Sequence, residues 1–81
     1  MTYHTYILFS HSLGKYYTGS TRQSVDKRLS HHLTHHKGFT AQAKDWAIVY
    51  QRSFNTISEA IALEKKIKKR GAKRFLQDLN L

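Results

Sequence analysis

A glutamate in the middle of an apolar helix face is the clearest chemical signal in this sequence. Residues 57–70 show the periodicity of an amphipathic helix. Glu64 falls near the centre of its apolar stripe, which is formed by Ile57, Ala60, Ile61, Leu63 and Ile67. Because burial of an unpaired carboxylate costs several kcal/mol, Glu64 needs a cationic partner. An arginine or lysine of this basic chain could serve, and so could a divalent metal.

Side chains suited to phosphate chemistry are predicted on an earlier helix, over residues 25–36. Arg28 and His32 are spaced i, i+4 at the border of its apolar face, which contains Val25, Leu29 and Leu33. The planar fork of an arginine can donate two hydrogen bonds to one phosphate. A histidine can exchange a proton near neutral pH. This pair could therefore reach a groove beside the core and act on a phosphate group there.

The same helix is rich in histidine, which leaves two interpretations open. The pairs His31/His35 and His32/His36 have a spacing that can hold zinc. The chain has no cysteine, and no neighbouring carboxylate on the helix completes a tetrahedral set. The alternative, which this lack favours, is a solvated histidine-rich helix end.

The elements that position these residues predict an α+β fold in one domain spanning residues 1–81. Residues 5–10, apolar on both faces, predict a central strand, and residues 16–20 and 46–54 predict two more. Ser24 is a candidate N-cap for the first helix, and Thr56 with Glu59 forms a capping-box signal for the second. Gly71 suits a helix end, and residues 72–79 could form a last helix with Phe75, Leu76 and Leu79 inward. The expected order is β-β-α-β-α-α: a small three-stranded antiparallel sheet flanked by helices.

Charge identifies the expected partner. The formal net charge is +9 and the pI is near 10.1, which favours a polyanion, above all nucleic acid. An anionic membrane surface, an acidic protein and plain solvated charge are the alternatives. No apolar run approaches the ~18 residues of a membrane span, and the N-terminus lacks the pattern of a signal peptide. We therefore expect a cytoplasmic protein with no membrane partner.

The ordered set of polar residues resembles the GIY-YIG nuclease family. The first triplet reads His4-Thr5-Tyr6 and the second reads Tyr17-Thr18-Gly19, followed by Arg28, His32 and Glu64. The resemblance continues through Gly38-Phe39-Thr40, Lys44-Asp45-Trp46, Val49-Tyr50, Glu59-Ala60 and Ile67-Lys68. It is strongest to small single-domain members related to the N-terminal incision domain of the bacterial nucleotide-excision nuclease. His4-Thr5 in place of Gly-Ile, and Thr18 in place of Ile, depart from the family pattern while both tyrosines are kept.

The resemblance implies a metal-dependent DNA endonuclease of low sequence specificity, with a role in DNA repair or recombination. Glu64 would bind Mg²⁺ or Mn²⁺, and Arg28 would neutralise a non-bridging phosphate oxygen. Tyr6 or Tyr17 would accept the proton of the attacking water, and His32 would assist it. The alternative is a nucleic-acid-binding module of the same fold with weak or no cleavage. A basic adaptor or structural protein is a third possibility.

Binding of double-stranded or branched DNA is assigned to basic residues that flank the expected groove: Lys15, Arg22, Lys27 and Lys68. Lysines and arginines are also dense between residues 65 and 74. Cations that follow a phosphate backbone give affinity without choice of sequence. No further element is predicted that could read bases, so a partner protein could supply specificity.

Overall fold

A computed structural model describes residues 2–22, 24, 25, 27, 29 and 43–79. It contains three strands, β1 (Tyr3–Ser10), β2 (Lys15–Thr21) and β3 (Trp46–Phe54), and two helices, α1 (Ile57–Arg70) and α2 (Ala72–Asp78). The predicted α+β class is confirmed, and β3 and α1 have the predicted bounds. Val25, Lys27 and Leu29 have helical backbone, whereas most of the helix predicted over residues 25–36 lies outside the described residues.

The three strands form one antiparallel sheet in the order β2-β1-β3, so β1 is central, as predicted. β1 and β2 form the expected hairpin, in which Tyr6 is opposite Gly19 and Leu8 is opposite Tyr17. The ladder between β1 and β3 is irregular between Ile7 and Leu8. Successive strand residues point to opposite faces, so this register decides which side chains share a face.

Each face of the sheet carries its own core cluster. One cluster contains the buried residues Tyr6, Leu8, Val25, Ala43 and Trp46. The other contains Ile7, Ile67, Phe75 and Leu76, so α1 and α2 pack against the Ile7 face. No helix in the described part of the chain has the length and apolar character needed to cross a bilayer.

Local capping explains where the helices begin and end. Thr56 caps α1 as predicted, because its hydroxyl oxygen accepts a hydrogen bond from the Glu59 amide at 3.3 Å. Gly71 ends α1 with a φ of 92°, a left-handed conformation that favours glycine, and its amide donates to the Ile67 carbonyl at 2.7 Å. The Lys27 amide donates to Ser24 Oγ at 3.2 Å, which agrees with the predicted N-cap at Ser24.

Two predicted inward positions are wrong. Ile61 is 39% exposed and Leu79 is 43% exposed. The inward face of α1 is set by Ala60 and Ile67, which are fully buried against the sheet, and Ile61 lies one position beyond that face. Phe75 and Leu76 already cover the end of the Ile7 cluster, so Leu79 is left at the surface after α2 ends.

Candidate active site

Tyr6 and Tyr17 lie side by side on the Trp46 face of the sheet. Their ring centroids are 6.4 Å apart and the rings are tilted by 37°. The two side chains differ in access to solvent: Tyr6 is 1% exposed, whereas Tyr17 is half-buried. The hairpin register therefore brings together the two tyrosines that the sequence motif singles out.

Gly19 makes room for this pair. A Cβ atom at Gly19 would lie 2.6 Å from Tyr6 Oη, 2.8 Å from Tyr6 Cζ and 3.3 Å from Tyr17 Cε2. Contacts below 3.0 Å cannot be kept, and the buried Tyr6 has little space to move. The glycine of the second triplet is thus required by its cross-strand neighbour, since any side chain at position 19 would collide with the Tyr6 ring.

Glu64 faces the sheet from α1, between Ala60 and Ile67, which are both fully buried. Its side chain is 20% exposed. The predicted position on the inward stripe is therefore correct, although the carboxylate reaches the rim of the interface and is not fully buried.

Two sheet hydroxyls hold the helix turn from which Glu64 projects. The buried Thr5 hydroxyl donates to the Ala60 carbonyl at 2.6 Å, and the Ser20 hydroxyl donates to the same carbonyl at 3.2 Å. In an α-helix, that carbonyl is also the acceptor for the Glu64 amide. Because Thr5 and Ser20 are cross-strand partners on β1 and β2, this clasp fixes both the rotation and the axial position of α1. Sequence analysis missed it, since the two contacts join positions 55 and 40 residues apart.

Lys68 is the cationic partner of Glu64 among the described residues. Lys68 Nζ donates to Glu64 Oε2 at 2.6 Å, one helical turn further along α1. The Lys68 side chain is 57% exposed, so water screens this ion pair and its contribution to stability is small. The expectation that Glu64 needs a cation is met by a lysine at the rim of the interface.

The donor set agrees with a metal that uses few protein ligands. No group of three or more histidine, aspartate or glutamate side chains that could enclose a metal occurs among the described residues. Mg²⁺ commonly keeps several waters and takes one or two protein carboxylates together with phosphate oxygens. Glu64 offers one carboxylate, whose Oε2 accepts from Lys68 and whose Oε1 has no hydrogen bond to another described residue. A single-carboxylate site of this kind is compatible with Mg²⁺ or Mn²⁺.

A cavity at the β2 edge is lined by Tyr17 and by Lys68, the ion-pair partner of Glu64. Tyr6 and Tyr17 belong to the Trp46 face, whereas α1 packs on the Ile7 face. The cavity, here called the β2–helix cavity, has a volume of about 600 Å³. The other lining residues are Tyr16, Thr18, Arg70, Gly71, Ala72, Lys73 and Arg74.

The predicted DNA-binding residues are all exposed. Lys15 begins β2 and Arg22 follows its end, so they flank the same edge strand on which Tyr17 lies. Lys68 lies across the cavity on α1, and Lys27 lies in the helical segment after β2. Arg28, His32 and the other histidines of residues 31–36 lie outside the described residues. The convergence of all five candidate catalytic residues on one site therefore stays a prediction.

Asp45 holds the turn that precedes β2. It accepts hydrogen bonds from Ser10 Oγ at 2.5 Å, the Ser12 amide at 2.8 Å and Ser12 Oγ at 3.0 Å. These bonds, that from Ser10 foremost, lower the pKa of Asp45 to about 2. The carboxylate thereby ties the start of β3 to the β1–β2 turn and stabilises the hairpin that carries both tyrosines.

Comparison with known proteins agrees with this arrangement. A family model described as the GIY-YIG catalytic domain matches residues 2–78, which is nearly the whole chain. The protein belongs to the GIY-YIG family. The matched range includes Tyr6, Tyr17 and Gly19, and the predicted resemblance to this family is confirmed.

The GIY-YIG fold is also found in a similar solved structure. The solution NMR structure of the UPF0213 protein BH0048 from Bacillus halodurans matches with a TM-score of 0.59 and 26% sequence identity. The match covers 99% of this chain and 84% of that chain. No curated protein gives a significant match. This GIY-YIG protein therefore shares its fold, over nearly its whole length, with another small protein.

Proposed function

We propose that this protein is a metal-dependent DNA endonuclease that hydrolyses phosphodiester bonds with low sequence specificity, in DNA repair or recombination. The observation that carries the proposal is the placement of Glu64. A carboxylate faces the sheet, its helix turn is clasped by Thr5 and Ser20, and its ion-pair partner Lys68 lines a cavity together with Tyr17. Family membership supplies the reaction class for this arrangement.

Glu64 is the residue that would hold Mg²⁺ or Mn²⁺. When bound there, the cation would supply stabilisation of charge on the scissile phosphate and on the leaving 3′ oxygen. Lys68 shares the Glu64 carboxylate and lies next to the path of the phosphate backbone, so it neutralises part of the charge that the substrate brings. Arg28 would have the same role in the proposal.

One tyrosine accepts the proton of the attacking water. A tyrosine hydroxyl ordinarily titrates near pH 10, so a neighbouring cation must favour its ionised form during the reaction. Tyr17 lines the cavity and is half-buried, whereas Tyr6 lies behind it against Gly19. His32 would relay the proton. The cleavage rates of Tyr6→Phe and Tyr17→Phe, compared at equal folded fraction, distinguish the two tyrosines.

DNA contacts follow the edge of β2. Lys15 and Arg22 flank this strand, Lys27 lies in the helical segment that follows it, and Lys68 lines the cavity beside it. For Z neutralised phosphates, log K should fall with log salt with a slope near −0.9Z. An affinity that does not change between low and physiological salt would contradict the proposed surface.

The direct test is incubation of the purified protein with plasmid, branched DNA and RNA. Each substrate is tested with Mg²⁺, with Mn²⁺ and with a chelator, and Glu64→Gln protein purified identically controls for contaminating nuclease. We expect metal-dependent nicking of DNA by the native protein and none in chelator. Absence of cleavage of every substrate, with DNA binding retained, would replace this proposal by the alternative below.

The second candidate function is a nucleic-acid-binding module of the same fold without efficient cleavage. The Lys68–Glu64 ion pair favours it, since a carboxylate with a lysine partner needs no metal for its charge to be compensated. In that case the Lys68→Met variant would lower thermal stability slightly and weaken DNA binding, and no metal would alter the DNA.

A further inference from the structure

The β2–helix cavity combines apolar walls with a positive rim. Its volume of about 600 Å³ lies within the range of roughly 300–1,000 Å³ that is typical of small-molecule sites. Tyr16, Tyr17 and Ala72 contribute aromatic and apolar lining, and most of the lining surface is apolar. Such walls suit a flat, weakly polar group and do not suit a fully hydrated ion.

The charge on the rim is only partly compensated. Lys68 is paired with Glu64, and both Nε and Nη2 of Arg70 donate to Asp78, at 2.8 and 3.0 Å. Lys73 and Arg74 also line the cavity, both are exposed, and neither makes an ion pair within the part of the chain that the structure describes. The pKa of Asp78 is lowered by its hydrogen bond with Arg70 and also by the charge of Arg74. Lys73 and Arg74 thus add positive charge to a largely apolar cavity, where they favour an anion attached to an apolar body.

A nucleotide has this combination of groups. Its base can stack on an aromatic ring, and its phosphate can bind lysine and arginine. A base inside a duplex is stacked and paired, so it can enter a cavity only after it leaves the helix or if it is already unpaired. A cavity that takes up a base in this way would distinguish a single-stranded nucleotide from a paired one, and it would not distinguish one base from another.

We propose that the β2–helix cavity binds one unpaired nucleotide of the DNA substrate, with its base on the ring of Tyr16, which lies on the face covered by α1 and α2, and its phosphate on Lys73 and Arg74. This inference rests on the proposed function, because the nucleotide would lie next to the cleaved bond only if Tyr17 and Lys68, which line the cavity, also belong to the active site. It assigns the substrate class: a duplex that carries an unpaired strand at the point of cleavage.

The test is a binding measurement by fluorescence anisotropy, with the full chain in chelator so that no strand is cut. Three labelled DNAs are compared: a blunt duplex, the same duplex with a single-stranded extension, and that extension built from abasic nucleotides. The variant Lys73→Ala/Arg74→Ala removes the rim charges. Its matched control is Lys65→Ala/Lys66→Ala, which removes two exposed charges from α1 outside the cavity.

The native protein should bind the extended duplex about tenfold more tightly than the blunt one, as stacking of one base predicts. The abasic extension should lose most of this preference. The rim variant should lower it, whereas the control should weaken the binding of all three DNAs by the same factor. Since the abasic probe needs no variant, the inference can be tested even if a variant folds poorly.

Equal affinity for blunt and extended duplexes would overturn the inference. So would full binding of the abasic extension, an equal effect of the two double variants, or displacement of the extended duplex by a poly-glutamate peptide as readily as by single-stranded DNA. Cleavage without a preference for the extension would leave the proposed function standing and remove this inference. The preference without cleavage would keep the cavity assignment and remove the nuclease activity.

Discussion

Replacing Glu64 by glutamine separates a catalytic carboxylate from a structural one. The change keeps the volume of the side chain and removes its charge. In the structure, this charge is paired with Lys68, which is 57% exposed. Exposed i, i+4 pairs contribute about 0.3–0.5 kcal/mol, so the variant should unfold with a free energy only slightly below that of the native protein.

The corresponding change in melting temperature is small. In a domain of 60–100 residues, about 1 kcal/mol corresponds to roughly 4–8 °C, so Glu64→Gln should lower the Tm by at most about 4 °C. A buried ion pair would give a different result. Loss of one partner of such a pair costs about 3–5 kcal/mol, which corresponds to a fall of at least about 12 °C.

The effect on cleavage should be much larger. A metal stabilises the charge of the transition state by several kcal/mol, so loss of its carboxylate should lower the cleavage rate by about 100-fold or more. DNA binding in chelator should persist or become tighter, because a negative charge next to the phosphate backbone is removed. The assays are plasmid nicking, anisotropy and a thermal melt on the same preparation.

Glu59→Gln is the matched control. Glu59 lies on the same helix, is exposed, and accepts a hydrogen bond from the Thr56 hydroxyl at 3.0 Å. It lies outside the proposed site, so its neutralisation should change the cleavage rate by no more than about twofold. A Glu64→Gln rate equal to that of this control would refute the assignment of Glu64 as the metal ligand. A large fall in Tm would show that a buried ion pair accounts for its position.

Three further predictions test the framework around Glu64. Thr5→Val removes the buried hydroxyl bonded to the Ala60 carbonyl, so it should cost about 1 kcal/mol and lower the Tm by roughly 4–8 °C; an unchanged Tm and cleavage rate would show that the clasp has no role. Gly19→Ala places a methyl group against Tyr6 and should cost about 1–3 kcal/mol, measured by urea unfolding, and Tyr6→Phe in the same chain should recover part of this loss. Asp45 has a folded pKa of about 2, below the 3.8 that is usual for an aspartate, so its contribution to stability is complete above about pH 4 and is lost as the pH falls through 2. Asp45→Asn should therefore flatten the fall of Tm with pH in this window, and parallel curves would contradict the assigned hydrogen bonds.

Local sequence signals predicted the elements of this fold well. The bounds of α1 follow from the Thr56 cap and the conformational freedom of Gly71, which both act within one helical turn. β3 follows from a run of β-forming residues. The tyrosine pair and Gly19 were also visible, because their spacing on a hairpin matches a known family pattern.

Tertiary structure alone decided how these elements meet. The clasp on the Ala60 carbonyl depends on the β1–β2 register, which places Thr5 and Ser20 side by side beneath α1. Helical periodicity placed Glu64 on the inward face, yet it could not show that this face ends at the rim, where water reaches Lys68.

The β2–helix cavity was beyond sequence analysis for the same reason. Its lining comes from β2 and from the adjoining ends of α1 and α2. β3 and most of α1 lie between these two parts along the chain. Periodicity and capping report interactions over a few residues. The space between packed elements depends on sheet order and on the angle at which helices cross the sheet, so its chemistry appears only when the chain is folded.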